Sequence, residues 1–507
     1  MAIRVFAVSW VILALLLMVY VTFSLSSQDS PQFSRFRHKL SRGWMFGRYI
    51  DNSDHQYASF RDNLPLLLPL LPAHFVLKHL LLRVSPFPRF PTRIAFSLFV
   101  SLALLLVLHG TGGLARILTL VYVGNLIAKA PNLHPLAIWA YGIGILFANE
   151  YFQGYRGLGG ILDVIKGVQP RWWGSFNFVI LRMISYTFDR RWADPRERRV
   201  NAPEASDEPM LSHRARTEFT HHQHTYDSTI TYLAYVLYAP LYIAGPVITF
   251  NDWVYQVSRT SQATCKASFK SIAVYAVRWG AAALLMEAMM HMFHVVAISK
   301  TRAWDNMSPF EVSMVGFFNL KLVWLKLLVI WRFFRLWALT DGVDTVENMV
   351  RCMSNNYSAL EFWRDWHRSY NRWLIRYLYV PLGGKSKRKL LNVLVVFTFV
   401  AIWHDISLSL LAWGWLITLF IMPEMIATAI FKRYEQWTYY EYLCAAGAAC
   451  NIIMMMVGFV VGLDGVQIML EKIFRPEGVF FLVATFFTLF QASLLMFDIR
   501  ARERGAS

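Results

Sequence analysis

The chain has 507 residues, 56% of them hydrophobic and only 16% charged, with a formal net charge of +18 and a mean hydropathy of +0.38. Soluble domains carry about 25% charged residues; here the apolar excess is gathered into long runs, which excludes a soluble globular chain and points to an all-α, polytopic membrane protein. The positive residues lie in juxtamembrane stretches such as Arg35–Arg48, Arg190–Arg199 and Lys385–Lys389, so they read as a topology signal facing the cytoplasm and anionic headgroups, not as a nucleic-acid footprint.

The first run, Val5–Leu25, has an apolar core longer than that of a cleaved signal and is read as a retained anchor. Leu64–Leu82, Ile94–His109, Leu114–Ala128 and Leu136–Ala148 follow. Gly154–Gly167 is glycine-rich, and the aromatic and basic stretch Arg171–Arg182 reads as the start of an interfacial helix. Residues Asp189–Asp227 are polar and aperiodic, which predicts a solvated, partly disordered loop within a single domain spanning 1–507. Apolar runs resume at Ile230–Phe250, Ile272–Ile298, Val312–Leu339 (interrupted by two lysines and two arginines), Leu390–Trp403, Leu408–Phe431, Tyr442–Gly462 and Val479–Met496. A span takes about 20 apolar residues, so about ten to twelve transmembrane or re-entrant helices are expected. No internal repeat or inverted symmetry relates the runs, and the end of the chain shows no retrieval or lipidation signal. None of the cysteines, Cys265, Cys352, Cys444 and Cys450, forms a CxxC pair, which argues against a disulfide framework or a zinc cluster.

One segment is unlike the rest: Glu361-Phe-Trp-Arg-Asp-Trp-His-Arg-Ser-Tyr-Asn-Arg-Trp-Leu-Ile-Arg-Tyr-Leu-Tyr-Val-Pro-Leu-Gly-Gly384. On a helix at about 100° per residue, Trp363, Trp366, Tyr370, Trp373 and Tyr377 share one face. Arg364, Arg368, Arg372 and Arg376 recur on the opposite side, with His367 and Asn371 on the seam. Such a helix suits a membrane–water boundary, with guanidinium groups reaching phosphate or water. His404, beside Asp405, ends a later apolar run. An ionisable group at membrane depth is by default a functional hypothesis, although a histidine satisfied by Asp405 or a carbonyl explains its position equally well. Together, His367 and His404 offer a base and a partner that positions a nucleophile or stabilises charge.

Other constellations carry less. His222 and Asp227 have His-x4-Asp spacing, and His221, His222 and His224 cluster, but no βα pattern or second ligand group surrounds them, so a polar loop is expected there. Glu287 and His291 stand at i, i+4, which favours structural pairing over a proton relay. There is no Gly-x-Ser-x-Gly elbow, P-loop, dinucleotide fingerprint or His-Glu-x-x-His. Direct transfer is therefore simpler than a covalent enzyme intermediate.

At Glu361–Gly384 and the embedded His404 the chain resembles the membrane-bound O-acyltransferases. Tyr238-Ala-Pro-Leu-Tyr-Ile-Ala-Gly-Pro246 and Arg182-Met-Ile-Ser-Tyr-Thr-Phe-Asp189 are similar to earlier elements of that family, and Gln56-Tyr-Ala-Ser-Phe-Arg-Asp-Asn63 is similar to its hedgehog-acyltransferase-like and Gup branch. The resemblance implies a bundle of helices around a tunnel, with acyl-CoA entering from the cytoplasmic side and the acceptor from the lumen or bilayer. It makes His404 the family's invariant histidine and His367 the second position, where hedgehog acyltransferase has Asp and the sterol and diacylglycerol enzymes have Asn. Histidine there fits the Gup branch, which is associated with reacylating lyso-glycosylphosphatidylinositol (lyso-GPI) anchors at the sn-2 hydroxyl in the endoplasmic reticulum.

The expectation is thus an acyl-CoA-dependent O-acyltransferase of the endoplasmic reticulum membrane, acting on a lipid or lipid-anchored acceptor. His404 would be the base, and His367 would orient or polarise the reacting groups. Trp363, Arg364, Asn371 and Arg376 would bind substrate, the arginines meeting CoA phosphates. Acyl-CoA enters as co-substrate, with no further cofactor, metal or nucleic acid expected. A glycerol transporter and a hedgehog-type protein acyltransferase are the rival readings.

Overall fold

The computed structural model describes residues 2–131, 133–134, 136–155, 162–193, 211–259, 269–304, 306–384, 389–460, 471 and 474–505. The apolar runs fold as helices because each encloses its own backbone hydrogen bonds, the condition for crossing lipid. Among the described residues seven helices are long and apolar enough to span a membrane. They are α1 (Ala2–Leu25), α2 (Leu64–Val84), α3 (Arg89–Lys129), α10 (Phe269–Met292), α11 (Pro309–Thr340), α15 (Leu408–Phe431) and α17 (Pro476–Gly505). Between them lie α4 (Leu136–Tyr151), α5 (Trp172–Trp192), α6 (His213–Glu218), α7 (Gln223–Asp227), α8 (Thr229–Val236) and α9 (Phe250–Ser258). The later ones are α12 (Ala359–Asp365), α13 (Arg368–Leu374), α14 (Lys389–His404) and α16 (Tyr440–Val460). Leu13, Leu16 and Tyr20 of α1 and Phe480 and Val483 of α17 are exposed, as lipid-facing residues should be.

The central layer is built differently from the sequence expectation. Arg171–Arg182 does not begin an interfacial helix: from Trp172 to Asp189 nearly every residue of α5 is buried. Arg182 survives there by donating to the carbonyls of Val236 (3.1 Å), Tyr238 (3.4 Å) and Leu241 (2.5 Å), so its charge is met by backbone dipoles of the Pro-containing turn after α8. The four cations in Val312–Leu339 do not interrupt the run either. α11 is continuous, started by a Ser308–Glu311 capping box. Its cations are matched from outside the helix: Lys326 with Asp54 (2.6 Å), Arg332 with Glu347 (3.0 Å), Arg335 with Asp344 (3.0 Å) and Lys321 with the Cys352 sulfur (3.2 Å).

Ile94–His109 and Leu114–Ala128 are two limbs of α3, which kinks at Gly110 (φ 72°). Residues 165–169 enter the kink: Thr111 N donates to Ile165 O (3.1 Å), Val168 N to Val107 O (3.0 Å) and Gln169 N to Leu108 O (2.7 Å), re-satisfying groups that a break would orphan. A Cβ on Gly110 would lie 2.1 Å from the Ile165 oxygen, so only glycine fits.

The basic stretch after α1 folds back as a hairpin, β1 (Leu40–Arg42) against β2 (Tyr49–Asp51), antiparallel with Leu40 opposite Asp51. It docks on the end of α10, where Arg48 donates to His291 O (3.1 Å), and on the short helix Val295–Lys300 that follows, where Asp51 accepts from Ala297 N (2.8 Å). Glu287 accepts from Tyr57 Oη and Trp44 Nε1, and His291 donates to the Glu287 carbonyl (2.7 Å), so that pair is structural, through third parties. The expected polar loop over 189–227 needs correction. Residues 194–210 lie outside the described set, but 189–192 finish α5, and 213–218 and 223–227 form α6 and α7, with Arg216, Thr217, Thr225 and Tyr226 buried. Most of Lys385–Lys389, part of Gly154–Gly167 and Cys265 also lie outside the described residues.

Candidate active site

The segment Glu361–Gly384 was expected to form one helix with an aromatic face and an arginine face. Instead α12 ends at Asp365, the chain breaks at Trp366–His367, and α13 runs on into a π-helical turn over Ile375–Tyr379. His367 occupies the left-handed region (φ 47°, ψ 49°). That conformation costs a non-glycine residue of order 1–3 kcal/mol and persists only where surroundings over-determine it. Asn348, in the loop after α11, supplies the determination. Its carbonyl accepts from Arg368 N (3.1 Å), and its Oδ1 accepts from Ser369 N (3.2 Å) and Ser369 Oγ (2.6 Å). Asn348 thus satisfies the first amides of α13 in place of an ordinary cap. Asn371 closes the break from the other side, donating to the Trp363 carbonyl (3.0 Å).

The break turns the His367 imidazole inward. It is 6% exposed, 4.2 Å from the Trp331 ring and 5.1 Å from the Tyr370 ring, centroid to centroid. His404 arrives from the end of α14, its ring 4.7 Å from Trp403 and 6.4 Å from Tyr370. A reciprocal lock fixes that helix end: Trp403 Nε1 donates to Asn177 O (2.9 Å) and Asn177 Nδ2 to Trp403 O (2.6 Å). The two histidines flank the same rings: Trp403 lies 6.4 Å from His367 and 4.7 Å from His404, and Tyr370 lies 5.1 Å and 6.4 Å from them. His404 is exposed at the end of α14, whereas His367 is buried. Among the described residues neither ring is hydrogen-bonded to another side chain, and His367 Nδ1 has no partner at all. Two unspent imidazoles that share Tyr370 and Trp403 as neighbours can accept a proton and polarise a bound group.

Of the candidate residues read from the sequence, the fold brings together His367 and His404. Trp363 packs edge-on against Phe397 (6.0 Å) and Trp413 (5.8 Å), joining α12 to α14 and α15. Asn371 serves the helix break. Arg376 does not reach outward: its guanidinium bonds Asp189 at 3.0 Å and lies over the rings of Trp192 and Tyr377. Arg372 donates to His213 Nδ1 (3.2 Å). Burial, with Arg372, Arg216 and Arg368 around it, pushes the His213 imidazole down to about 3, so it meets Arg372 as a neutral acceptor. Arg364 stands exposed on α12. The arginine stripe is therefore not one surface: Arg372 and Arg376 are engaged inside the protein, and Arg364 is exposed. Asn348, Asn177, Trp331 and Trp403 went unnoticed because nothing in their neighbours' spacing marks them; Tyr370 was visible only as one of a row of aromatics.

The histidine cluster is less uniform than expected. His221 is buried and its Nε2 contacts the Asn251 carbonyl at 2.9 Å, while Tyr226 donates to Asn251 Oδ1 (2.8 Å). His222 and His224 stack on one another outside (5.6 Å), and Asp227 makes a half-exposed pair with Arg190. His221→Ala should therefore lower the unfolding free energy by about 1–3 kcal/mol, the cost of an orphaned buried group. The double change His222→Ala, His224→Ala should leave it within about 0.5 kcal/mol. Thermal unfolding of the detergent-solubilised variants separates the two.

The sequence profile of the membrane-bound O-acyltransferase family matches residues 147–463, a stretch that contains α5, α13 and both histidines. The membrane-bound O-acyltransferase GUP1 of Saccharomyces cerevisiae is 45% identical over 96% of this chain and 89% of its own length. GUP2 of the same yeast, also named a membrane-bound O-acyltransferase, is 38% identical over 96% of this chain and 84% of its own. The protein-cysteine N-palmitoyltransferase HHAT of Mus musculus is 26% identical over 46% of this chain and 50% of its own.

Proposed function

The chain belongs to the membrane-bound O-acyltransferase family and is a multi-pass membrane enzyme of that class; on that premise we propose that it moves a fatty acyl chain from acyl-CoA to the hydroxyl of a lysolipid, of the lyso-GPI type, in the endoplasmic reticulum membrane. The observation that carries this reading is the pair His404 and His367, brought together around Tyr370 from separate elements and left without side-chain partners.

The chemistry follows from that pair. His404 takes the proton of the acceptor hydroxyl as the oxygen attacks the thioester carbon, and His367 orients or polarises the reacting groups. The carbon–sulfur bond then breaks, and the CoA thiolate recovers the proton from the imidazolium. The thioester carries its own leaving group, so acyl-CoA is a co-substrate and the step is written without a cofactor. Exposed Arg364 meets CoA phosphates in this reading. A histidine at 367 favours ester over amide formation in this reading, unlike the activity named for the mouse relative.

The test is transfer of labelled palmitate from palmitoyl-CoA, by purified protein in micelles, to a panel of lysolipids that includes lysophosphatidylinositol. Labelled lipid ester without an added energy source is the expected product. Acylation of a peptide amine alone, or glycerol flux in proteoliposomes that survives loss of His404, would overturn the reading.

A further inference from the structure

One tyrosine whose ring lies beside both histidines has a buried hydroxyl with no partner. Tyr370 is 3% exposed and its Oη makes no hydrogen bond. Among the described residues every other buried tyrosine hydroxyl is engaged, for example Tyr57 with Glu287, Tyr226 with Asn251, Tyr238 with Asp341, Tyr242 with His109 and Tyr377 with Asp189. An orphaned buried donor is costly and calls for a reason. Its surroundings suggest one. The Tyr370 ring lies 5.1 Å from His367, 6.4 Å from His404 and 4.5 Å from Trp403. Two further unpaired buried atoms, His367 Nδ1 and Asn348 Nδ2, belong to the same helix break. Unpaired polar atoms gathered where two imidazoles meet mark a place for a polar group of the substrate.

We propose that Tyr370 is a catalytic residue whose O–H donates a hydrogen bond to the thioester carbonyl oxygen and holds the negative charge that forms there. A phenol in apolar surroundings stays neutral, so it acts as a donor. In the step, the acceptor oxygen bonds to the carbonyl carbon as His404 removes its proton, and the carbonyl electron pair moves onto oxygen as an oxyanion hydrogen-bonded by Tyr370. The pair then returns, the carbon–sulfur bond breaks, and the thiolate takes the proton from the imidazolium; Tyr370 ends unchanged. A donor left free in the resting protein has no bond to give up when charge develops, a condition under which such groups are effective. Packing on Trp403 explains the ring but not the oxygen.

This inference rests on the acyl-transfer reading, and the experiment keeps the two apart. Tyr370→Phe removes only the oxygen. With palmitoyl-CoA and the lysolipid panel, kcat should fall about 10²–10³-fold, while KM for palmitoyl-CoA stays within about twofold, as for an interaction made only in the transition state. The thermal midpoint should not fall, since an unsatisfied group is removed. A kcat within about threefold of wild type, or a raised KM at unchanged kcat, overturns the role. Should Tyr370→Phe fail to fold, 3-fluorotyrosine at 370 keeps the shape and alters the acidity of the hydroxyl; unchanged turnover then overturns it. If wild type forms no ester, or His404→Ala still forms it, the acyl-transfer reading fails instead.

Discussion

His404→Ala yields a protein that inserts, folds and binds acyl-CoA but loses acyl transfer, with turnover lowered about 10²–10⁴-fold, the contribution of a positioned general base. The expectation of intact folding comes from the packing around it. Trp403, not His404, locks the end of α14 to α5 through Asn177, and the His404 ring has no side-chain partner to orphan. His367 differs, because its backbone is left-handed. His367→Asn should be the milder change there, since asparagine tolerates that region and can still hydrogen-bond. His367→Ala removes the imidazole and adds strain, so it should lose both turnover and thermal stability. Single-turnover formation of labelled ester, with acyl-CoA binding measured separately, reads these effects. A His404→Ala protein that acylates at near the wild-type rate would make the histidine structural.

Much of the fold is legible because it is local. A run of apolar residues long enough to cross lipid has to close its own hydrogen bonds, and α1, α2, α15 and α17 lie close to the runs that announced them. The motif around His367 and the run ending at His404 were legible for a different reason: charged groups in apolar sequence stand out. Their meeting was not legible from spacing, since it depends on Asn177 holding α14 against α5 across 226 positions of sequence.

The same distance dependence explains the errors. The 3.6-residue periodicity of tryptophans and arginines continues unbroken through His367, because the break is imposed from outside by Asn348 and not by any local glycine or proline. The cations of α11 looked like an interruption because their carboxylate partners lie on other elements, Asp54 before α2 and Asp344 and Glu347 after α11. His221 looked like its exposed neighbours because burial is decided by Asn251, thirty positions on.

Arg376 is the sharpest case, and Arg376→Ala should destabilise the protein by about 3–5 kcal/mol, the cost of stranding a buried carboxylate. Asp189 is fully buried and its charge is met by Arg376 Nη2 (3.0 Å), Tyr377 Oη (2.8 Å) and Asn251 N (3.2 Å). Removing the arginine leaves two neutral donors for a full charge. The guanidinium carbon also lies over the Trp192 ring (5.0 Å), so Arg376→Lys restores charge without the guanidinium's ring contact and should recover only part of the loss. Asp189→Asn combined with Arg376→Ala should be less damaging than the two single effects summed, because the stranded charge is then gone. The pair ties the end of the His367-bearing helix to α5, so activity per folded molecule should also fall, through kcat more than through KM for acyl-CoA. Thermal unfolding and kinetics on the same preparations decide it: an unshifted midpoint with a raised KM for acyl-CoA would return Arg376 to the CoA phosphates, and Asp189 would then be a bystander.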